Sequence, residues 1–366
     1  MISRALAGLL LVLVLSSCST EETDNRLAAA VEQAIEEAVV PAIEAFSTEA
    51  TDFETEADSF CASVDETSLR TLQDRWLSSM ATWNRAGVYR IGPLYDDPIV
   101  PTIDLIESKR PRGTDYTATV RETIASAVEG ATPLDDTYFR SLTFNRGGLL
   151  ALEILVFEDG ADLPSNAPAD IVAAYEASPR RCEYLQGTAA LLAERARGVA
   201  TGWTESFGDA GTPFRHQFLE PTLPDGSEPA VALVTLAIEH VRYLHVRKLD
   251  GTADVQVAEA ARPEVQPFFG NLEVAVLEIE TMFTASSPNG PSLLDLMEER
   301  GFAEEAEALR AAIAQVLLWI RDAQEGGGNT SAAGAIRALA ALDATLQNEV
   351  AAGLGITLPL NFNDGD

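Results

Sequence analysis

The stretch Asn145-Arg146-Gly147-Gly148-Leu149-Leu150-Ala151-Leu152-Glu153-Ile154-Leu155-Val156-Phe157 decides the fold. From Leu149 to Phe157 only Glu153 is not apolar. A helix of that composition has no face suited to water, so it belongs in the middle of a bundle. A strand is the weaker reading, because Leu and Ala dominate over β-branched residues. A carboxylate placed there must be paired, protonated or turned toward a wet cavity. Three fates stay open for Glu153: a buried pair with Arg146, two turns earlier on the same face; a hydrogen-bonded carboxyl beside Tyr89 or Tyr95; or a ligand in a cleft. Gly147 and Gly148 either let another backbone come close or shape the turn.

Working outward, helical spacing recurs on both sides. Leu27, Val31, Ile35, Val39 and Ala42 predict a helix over 26–46, bent at Pro41. A second helical piece holds Phe53, Phe60 and Cys61. Leu69, Leu72, Trp76, Met80 and Trp83 form the next stripe, and its two tryptophans read as core caps before they read as a ligand stack. Residues 87–101 are a loop carrying Tyr89 and Tyr95, with Asp96 and Asp97 in a solvated turn. A short helix over 99–107 and a basic turn at Lys109-Arg110-Pro111-Arg112-Gly113 follow. Further helices are expected over 114–129, 133–142, 169–207 with a kink at Pro179, 231–248, 271–283, 293–323 and 331–352. The last two are split at Gly326-Gly327-Gly328. His240 and His245, five apart, share no face well, which disfavours a two-histidine metal site on that helix.

The N-terminus gives an address. Arg4, an apolar run from Ala5 to Leu15 and then Leu15-Ser16-Ser17-Cys18 read as a signal peptide ending in a lipobox. The run is too short for an ordinary membrane span. The expected mature protein begins at a lipid-bearing Cys18, anchored in the cell envelope. Ser19 after the cysteine favours the outer membrane, facing the periplasm, by lipoprotein sorting. An exported chain meets an oxidising compartment, so Cys61 and Cys182 are a candidate disulfide. The sequence does not fix their separation.

Formal charge is −32, from 57 acidic and 25 basic side chains. Such a surface repels nucleic acid and anionic lipid. Most of these acids serve solubility. Three histidines in 366 residues argue against a His-rich metal centre, though not against a carboxylate one. His-Glu-x-x-His is absent, and with it the common zinc-peptidase helix.

Gly148-x-x-Ala151-Leu152-Glu153 with its Ile-Leu-Val-Phe tail and Arg146 resembles the signature of the imelysin-like family of bacterial envelope proteins. Trp83 with Gly92-Pro93, the Arg180-Arg181-Cys182-Glu183-Tyr184 helix and the Asn363-Asp364-Gly365-Asp366 tail are similar to the same family, in the same order. The family pattern is Gly-x-His-x-x-Glu, a candidate metal pair. Here the His position is Leu150 and only Glu153 remains. The resemblance implies an all-α fold of two four-helix-bundle-like halves facing a central cleft, and the helical spacing agrees with that independently. It also implies a link to peptidase chemistry or iron uptake, and a second half of the cleft supplied around Asn271, Glu273 and Glu280. An exposed acidic face is the plainer reading of Glu273 and Glu280.

The organisation expected is a signal peptide over 1–17, a tether over 18–25, an N-terminal helical bundle over 26–207, a linker over 208–230 and a C-terminal bundle over 231–366 with a docked tail. Three functions compete. A metal-dependent peptidase needs several ligands, an open position and a base, which Leu150 undercuts. A binding component would grip iron or another divalent or trivalent cation through Glu153, Glu273, Glu280 and Tyr89. An interaction protein would use the cleft for a small ligand or an envelope partner. The non-catalytic binding lipoprotein is the preferred reading, with iron acquisition entering by resemblance alone.

Overall fold

A computed structural model of the chain describes residues 25–95, 106–107, 115–143, 145–161, 165–249, 268–288 and 290–359. The signal peptide, Cys18, nearly all of the tether, Asp96 and Asp97, most of the 99–107 helix, the basic turn at 109–113, and the 363–366 tail lie outside them.

The described residues are helical throughout, apart from loops and two isolated bridges, Phe207 with Thr212 and Ser287 with Gly290. The helices gather into two groups. In the first, α1 (Val40–Ala62), α2 (Glu66–Ala86) and α7 (Pro179–Thr204) pack together; α5 (Leu149–Phe157) packs on α2 and α7 with α3 (Thr117–Glu129) and α6 (Pro168–Ala177) beside it, and α4 (Asp136–Arg140) lies on α7. In the second, α9 (Pro229–Arg242), α10 (Phe268–Thr284), α11 (Leu293–Glu299), α12 (Ala303–Asp322), α13 (Gly328–Thr345) and α14 (Ala351–Leu354) pack together. No helix among the described residues is long and apolar enough to cross a membrane.

α2 starts on a capping box. The Asp65 carboxylate accepts from the Thr67 and Ser68 amides, and the Ser68 hydroxyl accepts from the Asp65 amide. Its stripe Leu69, Leu72, Trp76, Met80 and Trp83 is buried. Trp76 donates its indole N–H to the Leu149 carbonyl at 3.0 Å and sets its ring edge-on to Phe157, while Trp83 lies against Phe46. Both tryptophans are therefore core.

Several helix ends differ from the sequence expectation. The first helix does not stop near residue 46. It runs from residue 25 through Ala62, and a π-helical turn at Ile35–Val39 ends two residues before Pro41. Proline removes a donor and crowds the carbonyl four residues back, and a widened turn accommodates both. Residues 169–207 break rather than kink, because Ser178, before Pro179, is extended. Residues 293–323 split into α11 and α12 at Gly301, whose φ is +90°. The glycine-rich stretch at 323–328 does turn the chain, since Trp319 meets Gly334 across the α12–α13 hairpin.

Residues 208–230 do not hang free. α8 (Phe214–Phe218) sets Phe214 edge-on to Trp203, 4.9 Å between ring centroids, and Arg215 pairs with Glu36. Gly92, at φ +57°, lies so close to the Phe214 ring that a Cβ there would collide with it. Cys61 and Cys182 are bonded, joining the end of α1 to the start of α7. Near the C-terminus, Ile356 and Leu358 pack against the core.

The N-terminal helix belongs to both groups. Arg26 pairs with Glu299 of α11, Gln33 packs against Gly290, and the π turn at Ile35–Val39 touches α10. Beyond Pro41 the same helix lies within the first group.

Candidate functional site

α5 is the centre of the first group. All nine of its residues are buried, as the apolar run demands. Its C-terminal carbonyls would be orphans in a dry core, and side chains satisfy them. Gln73 donates to the Val156 carbonyl at 2.8 Å, and the Tyr175 hydroxyl donates to Leu155 at 3.0 Å. Arg181 donates to the Leu155 and Glu158 carbonyls. Burial pushes the Tyr175 phenol up to about 12, so it stays a donor. Glu158, fully buried, receives a bidentate Arg121 at 2.8 and 2.6 Å. At the other end Gly147 admits a close neighbour: a Cβ there would lie 2.9 Å from Leu191.

Glu153 and Leu150 are each 1 % exposed. Leu150 is part of the hydrophobic core. The Glu153 charge acts on Arg121, which itself binds Glu158. Arg146 is half-buried; its charge lies beside Tyr138 and Tyr184, and its carbonyl accepts from the Tyr184 hydroxyl at 3.1 Å. The tyrosines proposed for Glu153 are elsewhere. Tyr95 is 46 % exposed. Tyr89 is buried and spends its single donor on another carboxylate, Glu278 of α10, at 2.8 Å.

Glu278 is the residue that sequence reasoning missed. It is 2 % exposed, and its second oxygen accepts from the Arg85 guanidinium at 2.7 Å. Burial first, then the Glu278 charge, holds the Tyr89 phenol well above its usual range. The signal was present: Asn271, Ala275, Glu278 and Met282 follow the spacing of a buried stripe, and all four are buried. Glu273 and Glu280 lie off that stripe. Glu273 pairs with Arg321 at 2.7 Å and accepts from Gln324, while Glu280 is half-buried. The carboxylates nominated from sequence are therefore not brought to one centre. Among the described residues no group of three or more His, Cys, Asp and Glu side chains is placed to hold a metal.

A second polar cluster lies nearby. After α9 the chain makes a π turn at Tyr243–Lys248. Residues five apart come to the same side of such a turn. Tyr243 and Lys248 accordingly both reach Glu107, the hydroxyl donating to Oε1 at 2.9 Å and the ammonium to Oε2. Arg90 lies over the Tyr243 ring, 4.0 Å from its centroid, with a guanidinium nitrogen 3.8 Å from Glu107. Burial works to raise the Glu107 carboxyl, but Lys248 and then Arg90 outweigh it and hold it below the usual carboxylate range. Arg85, Tyr89, Arg90 and Glu107 come from the chain after Trp83, while Lys248, Tyr243 and Glu278 come from the second group. These buried and half-buried polar groups form the joint between the two groups.

An open groove of about 620 Å³ lies beside Arg26, Pro291 and Asp295. Its carboxylates are engaged: Asp295 caps α11, Glu298 holds Arg310 and Glu299 holds Arg26.

Comparison with known proteins gives one family match, to the family described as Imelysin, over residues 39–352. No curated protein matches significantly. Among solved structures, one from Parabacteroides distasonis ATCC 8503, provisionally named an iron-regulated protein A precursor, superposes with a TM-score of 0.66 at 15% identity, over 90% of this chain and 95% of that one. An Imelysin-like protein from Psychrobacter arcticum 273-4 gives 0.66 at 13% identity, over 92% and 98%. At such identities the likeness is one of fold.

Proposed function

Because this chain belongs to the imelysin family, we propose that it is a non-catalytic, lipid-anchored envelope member of it that binds a ligand or a partner. What supports the reading is the burial of Leu150, 1 % exposed in the core, taken together with the resemblance by which Leu150 replaces the family's histidine. Metal hydrolysis needs several ligands and an open coordination position. Here Glu153 stands on a helix whose other eight residues are apolar. The anchor is Cys18, and the location is the outer membrane facing the periplasm. A link to iron is supported by the name of the Parabacteroides structure, which speaks of an iron-regulated protein and not of uptake.

Calorimetric titration of metal-stripped protein with ferric citrate, ferrous ion, zinc and calcium, repeated on Glu153→Gln, tests this. The expected result is no saturable binding of the bare cations. Micromolar binding that Glu153→Gln weakens tenfold, about 1.4 kcal/mol, would establish a cation-binding component instead. Peptide hydrolysis lost on chelation and restored by one metal would overturn the non-catalytic reading.

A further inference from the structure

Arg146 has no part in the joint, and its surroundings supply donors without an anion. It sits in the turn between α4 and α5, where its own amide and that of Gly147 both donate to the Thr143 carbonyl. The Tyr184 hydroxyl of α7 donates to the Arg146 carbonyl at 3.1 Å, and Leu142 and Leu191 close on Gly147. The backbone that carries the guanidinium is therefore fixed. Tyr138 and Phe139 of α4 and Tyr184 of α7 form one ring cluster, with centroids 5.2 to 6.2 Å apart. The Arg146 charge acts on both tyrosines. Burial raises both phenols above their usual range against that charge, so neither becomes the phenolate that would answer it. Two acids of α7 are already engaged, Glu183 with Arg180 at 3.6 Å and Glu194 with Arg140 at 2.7 Å. Two further cations approach: the Arg180 charge also acts on Tyr138, and Arg195 sets a guanidinium nitrogen 3.5 Å from the Gly147 carbonyl. Among the described residues no carboxylate pairs with Arg146.

We propose that Arg146, with the Tyr138 hydroxyl as a second donor, binds an oxyanion: the carboxylate or phosphate group of a small ligand. A guanidinium presents parallel N–H donors that match either group. Arg146 is half-buried, so water hydrates its charge only in part, and a bound oxyanion supplies the missing hydrogen bonds. Tyr138 is half-buried as well and keeps its proton. Tyr184 gives its own proton to the Arg146 carbonyl, which leaves the Tyr184 oxygen to accept from Tyr138. An oxyanion is the stronger acceptor and draws the Tyr138 donor to itself. The net charge of −32 repels anions from the surface as a whole, so an anion held here is held by local contacts. The site deepens the binding role proposed for the chain, on which it rests, by naming the charged group of the ligand.

Titration of the full chain, after chelation, with sodium phosphate and with sodium citrate tests it. Sodium chloride holds the ionic strength constant, so that screening of the net charge does not contribute. Calorimetry gives the affinity, and nitrogen-15 labelling of arginine follows the Arg146 Nε–H, assigned by its loss in Arg146→Gln. Saturable binding of either anion with a shift of that resonance is expected, and the tighter of the two tells a phosphate ligand from a carboxylate one. Arg146→Gln should weaken binding by about tenfold or more, and Tyr138→Phe by about threefold. Arg247→Gln, at an exposed arginine, should leave it unchanged. Binding of neither anion, binding undiminished in Arg146→Gln or Tyr138→Phe, or an equal loss in Arg247→Gln overturns the proposal. Should Arg146→Gln not fold, Arg146→Lys replaces it: it keeps the charge, removes the planar fork and should also weaken binding. None of these outcomes alters the cation titration, so the anion site and the non-catalytic reading fail separately.

Discussion

Glu278 has two partners and almost no water, so its environment is all-or-nothing. Removing Arg85 leaves a carboxylate in the joint with only the Tyr89 hydroxyl. Stranding a fully buried charge costs about 3–5 kcal/mol. The Arg85 side chain is 38% exposed, so solvent shares part of that cost and about 1–3 kcal/mol is expected for Arg85→Ala. Glu278→Met removes the charge itself and fills the space, so it should cost less than Arg85→Ala. Urea unfolding of the two variants checks the order, and the reverse order would mean that Glu278 is not desolvated. Sequence reading nominated Glu273 and Glu280 for standing two turns apart, a spacing that marks a shared face without saying which face is dry. Glu278 looked ordinary because its partners lie 193 and 189 residues away. Glu107 was hidden in the same way, 141 residues from Lys248.

At the scale of the element, α5 was the most legible part of the chain. Nine residues with one polar member leave no solvent face, and the structure buries all nine. What could not be read was how its end is satisfied, because Gln73, Tyr175 and Arg181 arrive from three other helices. The π turns were equally silent, since apolar spacing shows a helix's face and not its pitch. A test of α5 is Leu150→His. Placing an imidazole in this core removes apolar contact and buries a polar group, a loss of about 2–4 kcal/mol. Thermal unfolding with and without zinc should show that loss unrelieved. A zinc-dependent gain of several degrees would mean that the introduced imidazole and Glu153 can ligate one metal ion, and would revive the metal reading.

For the whole molecule, the all-helical class followed from periodicity, and the structure shows it in two groups. The first group carries a covalent staple. Cys61 and Cys182 are 121 residues apart, with Cα atoms 5.7 Å apart, and bridge α1 to α7. Cross-linking so long a loop restricts the unfolded chain strongly, and losing such a bridge typically costs about 2–5 kcal/mol. Unfolding with and without reductant should show that difference, with mass spectrometry confirming the bridge. No change in midpoint would mean that the bridge adds nothing beyond the packing of α1 on α7.

The helix that begins at residue 25 has a further consequence. It starts against α11 at Arg26–Glu299 and ends at Ala62 inside the other group, so it pins the two groups together like a dowel. Among the described residues the chain also passes between them around Pro221–Asp225, where most residues are exposed. A protease that nicks this segment should therefore yield two fragments on a denaturing gel and a single peak of unchanged size on a native sizing column. Separation of the fragments without denaturant would show that the dowel and the buried charges of the joint do not hold.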